Sequence, residues 1–145
     1  MIYNTFSEKE TAYLGSKYAE YLKPRIGDGL TVCLNGEMGS GKTAFVKGMM
    51  ETFHYNEEVT SPTFALCHKY EGDTTVFHID LYRLESFEDF FSMGLFDIEE
   101  KGSLILIEWA EKANDYIENC ITVNFKYGEK ENSRIIDIPD FDYMD

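Results

Sequence analysis

Residues Gly36 to Thr43 read GEMGSGKT, a complete G-x-x-x-x-G-K-[ST] loop whose residue types suit the binding of a polyphosphate. Its glycines let the backbone curl until successive N–H groups converge on an anion. A helix starting where the loop ends adds its partial positive charge. The motif predicts that Gly36, Glu37, Met38, Gly39, Ser40, Gly41, Lys42, Thr43 and Ala44 line a nucleoside triphosphate. Within it, Lys42 is expected to reach the β- and γ-phosphates and the Thr43 hydroxyl to ligate Mg²⁺.

Hydrolysis also needs acidic groups, for the metal and for the attacking water. Two carboxylates end apolar runs, Asp80 after VFHI and Glu108 after LILI. An α/β sheet places its ligand crevice at such strand ends, and Glu108 there has the place of a Walker B acid. A capping or solvated carboxylate is the alternative at each position. Thr60-Ser61-Pro62-Thr63 follows the loop's helix by a few residues. A Thr so placed can touch a γ-phosphate and its Mg²⁺, although the same residues are ordinary turn formers. No N-K-x-D guanine reader is present, which favours ATP over GTP.

These residues need elements to position them. Leu30 to Leu34 is a short apolar, β-branched run that predicts a buried strand, and Thr43 to Phe53, free of proline, predicts the helix after the loop. Ahead of both, Ser7-Glu8-Lys9-Glu10 is a capping box. A helix should start near Glu8, carry Leu14, Tyr18, Tyr21 and Leu22 on one face, and stop at Pro24. Phe64 to Tyr70 and Thr74 to Tyr82 alternate around Glu71-Gly72-Asp73, an antiparallel hairpin across which His68 and His78 face each other. Both histidines read as sheet residues rather than metal ligands. Ser86 caps a short helix that Gly94 breaks; the Phe87, Phe90, Phe91 and Met93 cluster on it reads as packing, and residues 97–101 as a solvated helix face. Leu104 to Ile107 is a buried strand, Trp109 beyond it suits either core or crevice, and Ala110 to Ile117 predicts a helix. Ile121 to Tyr127 and Arg134 to Ile138 form a last hairpin. The expected architecture is one α/β domain over residues 1–145, a P-loop NTPase with a mixed sheet: a parallel centre with antiparallel hairpins added. Residues 139–145 are acidic and expected to fray.

Thirteen Lys and Arg face 27 Asp and Glu, a formal net charge of −14. A surface that grips nucleic acid by itself needs a basic footprint, and only Arg25, Arg83 and Arg134 supply guanidinium. A partner protein with a basic face is the better complement. Cys33, Cys67 and Cys120 are isolated in apolar runs without a CxxC pair, so they read as buried and reduced rather than as zinc ligands or disulfides. No cationic apolar leader opens the chain and no apolar run approaches a membrane span; the expected compartment is the cytoplasm.

In this order, GEMGSGKT, TSPTF (Thr60 to Phe64), HIDLYRL (His78 to Leu84) and LILIEWAE (Leu104 to Glu111) closely resemble the bacterial TsaE family, once called YjeE, from about Ser7 to Glu111. The resemblance implies a small ATPase that joins the TsaD and TsaB proteins in tRNA threonylcarbamoyladenosine biosynthesis. It would support repeated turnover of that complex without performing the transfer, and would meet tRNA only through it. By the same resemblance Lys42 binds phosphates, Thr43 and Glu108 bind Mg²⁺, and Asp80 positions water or assists the metal. Thr63 senses the γ-phosphate and Thr11 lies near the adenine. Two other readings of a P-loop stay open beside it. A small-molecule kinase needs an acceptor pocket and usually an arginine-bearing lid, for which this chain is short; a nucleotide-gated binding module would use ATP only to order Thr60 to Phe64.

Overall fold

The computed structural model describes residues 1–54, 67–82, 102–110, 117 and 119–142. The Thr60 to Phe64 loop, Thr63 within it, Arg83, the short helix after Ser86 and residues 97–101 lie outside the described residues, as do 111–116 of the helix expected after Trp109.

One seven-stranded sheet organises the chain, in the order β1-β7-β6-β2-β5-β4-β3. Its strands are β1 (Ile2–Thr5), β2 (Leu30–Asn35), β3 (Cys67–Tyr70), β4 (Val76–Asp80), β5 (Leu104–Glu108), β6 (Cys120–Tyr127) and β7 (Arg134–Asp137). β6, β2, β5 and β4 run parallel, while β3 and β7 add antiparallel neighbours to either side. The expected parallel centre with antiparallel additions is therefore present. β1 is an element that periodicity does not reveal. Its four residues carry no turn signal, and it exists because β7 offers an edge: Ile2 pairs with Asp137 and Thr5 with Arg134.

Helix α1 (Glu8–Leu22) starts as its capping box predicts, with the Glu10 backbone N–H donating to Ser7 Oγ. It passes into a 3₁₀ turn at Lys23–Arg25, with Pro24 at its start, where a missing N–H costs least. Helix α2 (Lys42–Thr52) begins one residue earlier than expected, at the lysine itself. The two helices cross at near contact of their backbones. A Cβ on Gly48 would stand 1.7 Å from the Ala12 carbonyl oxygen, and one on Gly15 would stand 2.0 Å from that of Phe45. Glycine is required at both positions.

Both helices bury one face of the sheet. Val32, Leu34, Val76, Leu104, Leu106, Val123 and Ile136 meet Leu14, Tyr18, Phe45, Val46 and Met49 in the main core. On the opposite face Cys33, Ile79, Leu81 and Ile107 form a smaller cluster. Within the end expected to fray, Phe141 is instead docked: it is buried against Tyr3, Tyr18 and Tyr21, and its carbonyl accepts from the Tyr3 hydroxyl at 2.5 Å. One aromatic side chain among carboxylates is enough to dock the segment; residues 143–145 lie outside the described set. Of the cysteines, Cys33 is buried as expected, but Cys67 and Cys120 are only half-buried, and all are free thiols. Among the described residues, no helix is long and apolar enough to cross a membrane.

Candidate functional site

The glycine-rich loop leaves the C-terminal end of β2 at the centre of the sheet and enters α2. Left-handed backbone at Gly39 (φ 76°) and Gly41 (φ 106°) makes the curl, which side chains with a Cβ adopt only under strain. Gly36 has a different reason to be glycine: a Cβ there would meet Ser40 Oγ at 2.6 Å and Phe125 O at 2.8 Å. Met38 and Thr43 are exposed, Ala44 half-buried, and Ser40 and Lys42 buried. Among the described residues, Asn35 Oδ1 just before the loop and Ser40 Oγ within it are buried without a hydrogen-bond partner. Buried orphans of this kind are uncommon in folded proteins and call for an explanation.

The last hairpin clasps the outside of the loop. The Tyr127 hydroxyl donates to the Met38 carbonyl, and Arg134 Nε donates to the Gly39 carbonyl at 3.0 Å. The Arg134 guanidinium also lies over the Tyr127 ring, 4.9 Å from its centroid. Neither residue announces this role in the sequence, since both sit in an ordinary strand pattern and reach the loop only because β6 lies beside β2.

Inside the loop, Lys42 Nζ donates to the Gly36 carbonyl at 2.6 Å and stands 3.9 Å from Glu108 Oε1. It also lies over the Trp109 ring, 4.2 Å from the centroid. That decides between the two positions open to Trp109: the ring lines the lysine's side of the site while its other side packs on the smaller cluster. Its backbone is left-handed (φ 60°), a conformation that costs a bulky residue about 1–3 kcal/mol and recurs at functional sites.

The two strand-end carboxylates are brought together as the sequence suggests. Asp80 and Glu108 are register partners across the parallel β4–β5 pair, and a bond from Leu81 N to Glu108 O at 3.0 Å continues that pairing. Glu108 is 3% exposed. Asp80 is half-buried and accepts from Tyr82 N at 2.9 Å. Burial, then the nearby Glu108 charge, holds its carboxyl above the usual carboxylate range against the pull of that bond. His78 is a sheet residue, as expected, with a contact the sequence does not announce. It pairs with His68 in the hairpin register, and its Nε2 is 2.6 Å from Glu108 Oε2, with both side chains buried. Alternation within each strand says nothing of a neighbour on another strand, and only the β4–β5 register reveals this contact.

Thr11, expected near an adenine, lies under the loop. Its methyl faces Gly41, where an added Cβ would be 3.4 Å away, while its hydroxyl is 2.7 Å from that of Thr5 and 3.2 Å from the Ser7 carbonyl. Among the described residues no group of three His, Cys, Asp or Glu is gathered tightly enough to hold a metal by itself. The oxygens of Thr43, Asp80 and Glu108 are hard donors that suit Mg²⁺, an ion that keeps waters and shares its shell with phosphate.

Sheet order, helices and loop together define a small α/β protein whose glycine-rich turn joins the central parallel strand to a covering helix. A family model described as threonylcarbamoyl adenosine biosynthesis protein TsaE matches residues 5–136. The chain is 37% identical over 121 residues to the tRNA threonylcarbamoyladenosine biosynthesis protein TsaE of Treponema pallidum, spanning 83% of this chain and 87% of that protein. It is 38% identical over 116 residues to the Haemophilus influenzae protein of the same name, 78% of this chain and 73% of the other. The chain belongs to the TsaE family. A crystal structure of Bacillus subtilis YdiB superposes with a TM-score of 0.69 over 94% of this chain and 82% of that one; at 23% identity it speaks for the fold.

Proposed function

We propose that this chain is the ATP-binding and ATP-hydrolysing component of tRNA threonylcarbamoyladenosine biosynthesis, and that it sustains turnover of a complex of the TsaD and TsaB proteins rather than performing the transfer. Family membership supports the pathway. The observation that carries the ATPase reading is the convergence of Lys42, Glu108 and Asp80 at the C-terminal ends of β2, β5 and β4, beside a loop with left-handed Gly39 and Gly41.

In this reading the loop's N–H groups and the α2 N-terminus hold the phosphates, and Lys42 exchanges the Gly36 carbonyl for phosphate oxygens. Ser40 Oγ, buried and unpartnered, gives the loop a polar lining that a phosphate suits. Thr43 and Glu108 would hold Mg²⁺, which would supply positive charge against the negative charge developing on the phosphates. Asp80 would orient the attacking water; its burial keeps it a better proton acceptor than an exposed carboxylate. Thr63 is assigned to the γ-phosphate and Thr11 to the neighbourhood of the adenine. The acidic surface makes tRNA an indirect partner, met through the complex.

The test is capture of this chain by immobilised TsaD and TsaB with and without ATP, followed by multiple-turnover assay of threonylcarbamoyladenosine. ATP-dependent capture and a requirement for the chain beyond the first turnover support the proposal. Capture indifferent to ATP, with turnover unaffected by Lys42→Ala, contradicts it.

A further inference from the structure

Every atom of a buried histidine that lacks a partner is a cost the fold carries for some reason. His78 is 1% exposed and its Nδ1 has no hydrogen-bond partner among the described residues. A leucine there would fill the same space beside Leu106, its register partner, with no polar atom to satisfy. What the imidazole does make is one short bond, Nε2 to Glu108 Oε2 at 2.6 Å. An ionised carboxylate only accepts, so Nε2 carries the proton and donates it.

That bond divides the Glu108 carboxylate. Oε2 is held by His78, leaving Oε1 directed toward Lys42 Nζ at 3.9 Å, beyond the length of a charge-assisted hydrogen bond. Both groups are buried, and at such a site an unrestrained carboxylate and ammonium close to direct contact, because little water competes for either. Lys42 Nζ instead donates to the Gly36 carbonyl. Resting on the ATPase reading above, we infer that His78 is a positioning residue: its Nε2–H holds Glu108 in the orientation that receives Mg²⁺ and keeps it from collapsing onto Lys42. Its part in the site runs through its bond to Glu108.

Ligand-orienting partners of this kind are worth about 10–100-fold in metal affinity when removed. The experiment titrates Mg²⁺ into the chain with saturating ATP, following the emission of Trp109, the single tryptophan, and titrates Mn²⁺ by electron paramagnetic resonance, which needs no turnover. His78→Gln places an amide N–H near the position of Nε2, whereas His78→Asn, equally polar, stops short of it. His78→Leu or His78→Asn should raise the half-saturating metal concentration about tenfold or more, with ATP binding in EDTA unchanged, and His78→Gln should restore it. Should His78→Leu fail to fold, the Gln and Asn pair carries the test alone. Equal metal titrations for Gln, Asn and the unaltered chain overturn the inference while leaving the ATPase reading intact. No metal-dependent ATP signal in the unaltered chain overturns both.

Discussion

At the scale of single residues, Lys42 and Glu108 are the most consequential pair because both are buried and charged. Lys42→Ala removes the lysine proposed to face the phosphates, and ATP binding and hydrolysis should be lost. It also leaves the buried Glu108 without its ammonium neighbour, and an uncompensated buried charge costs about 3–5 kcal/mol. The variant should therefore be folded by circular dichroism but melt earlier than the parent. Normal hydrolysis in folded Lys42→Ala would exclude the phosphate role. Asp80 and Glu108 separate in the same way. Glu108→Ala should weaken Mg²⁺-dependent binding measured by titration calorimetry, whereas Asp80→Ala should spare binding and slow turnover by ~10² or more, the scale of one acid–base contribution. Small and equal effects would mean that neither carboxylate serves the reaction.

At the scale of elements, the α1–α2 crossing and the loop clasp are the places where geometry leaves least room. Gly48→Ala gains up to about 1 kcal/mol of helix propensity, but its methyl would stand 1.7 Å from a backbone oxygen. The clash wins, and the denaturation midpoint should fall; a midpoint equal to or above the parent's would show that the helices can part cheaply. At the β3–β4 turn, Asp73 accepts from His54 at 2.8 Å and stands 3.7 Å from Lys23, and the His54 bond, foremost, holds its carboxyl below the usual value of 3.8. A lowered folded-state value stabilises above the unfolded value and is lost as pH falls through the folded one. Asp73→Asn should thus lower the melting temperature slightly at pH 7, with the difference vanishing in acid below that window. The pair is exposed, so salt should shrink the effect too. The positioning elements were legible in the residues themselves: the capping box placed α1, the LILI run placed β5, and the loop motif placed the turn between β2 and α2. What was not legible is long-range. β1 forms only because β7 presents an edge, Phe141 docks only because Tyr3, Tyr18 and Tyr21 converge on it, and Tyr127, Arg134 and His78 join the site through strand order and register, which no local pattern encodes.

At the scale of the whole molecule, the −14 charge suits the proposal that the chain works against a basic partner surface rather than on nucleic acid directly. Of the guanidinium groups, Arg134 is engaged with the Gly39 and Glu131 carbonyls and Arg25 lies over Tyr21. A P-loop site without an arginine over the phosphates hydrolyses its triphosphate orders of magnitude more slowly than a completed one. Arg83, just past Asp80 in the sequence, is the candidate that would complete the site in cis. Phosphate release from ATP, measured for the chain alone, with TsaD and TsaB, and with Lys42→Ala in the same mixture, decides whether partners complete the site. Slow release by the lone chain, a marked rise with the partners and loss of that rise in Lys42→Ala are the expected results. Fast release by the lone chain, indifferent to the partners and abolished by Arg83→Ala, would contradict the partner-completed site, and release unaffected by Lys42→Ala would contradict the ATPase itself.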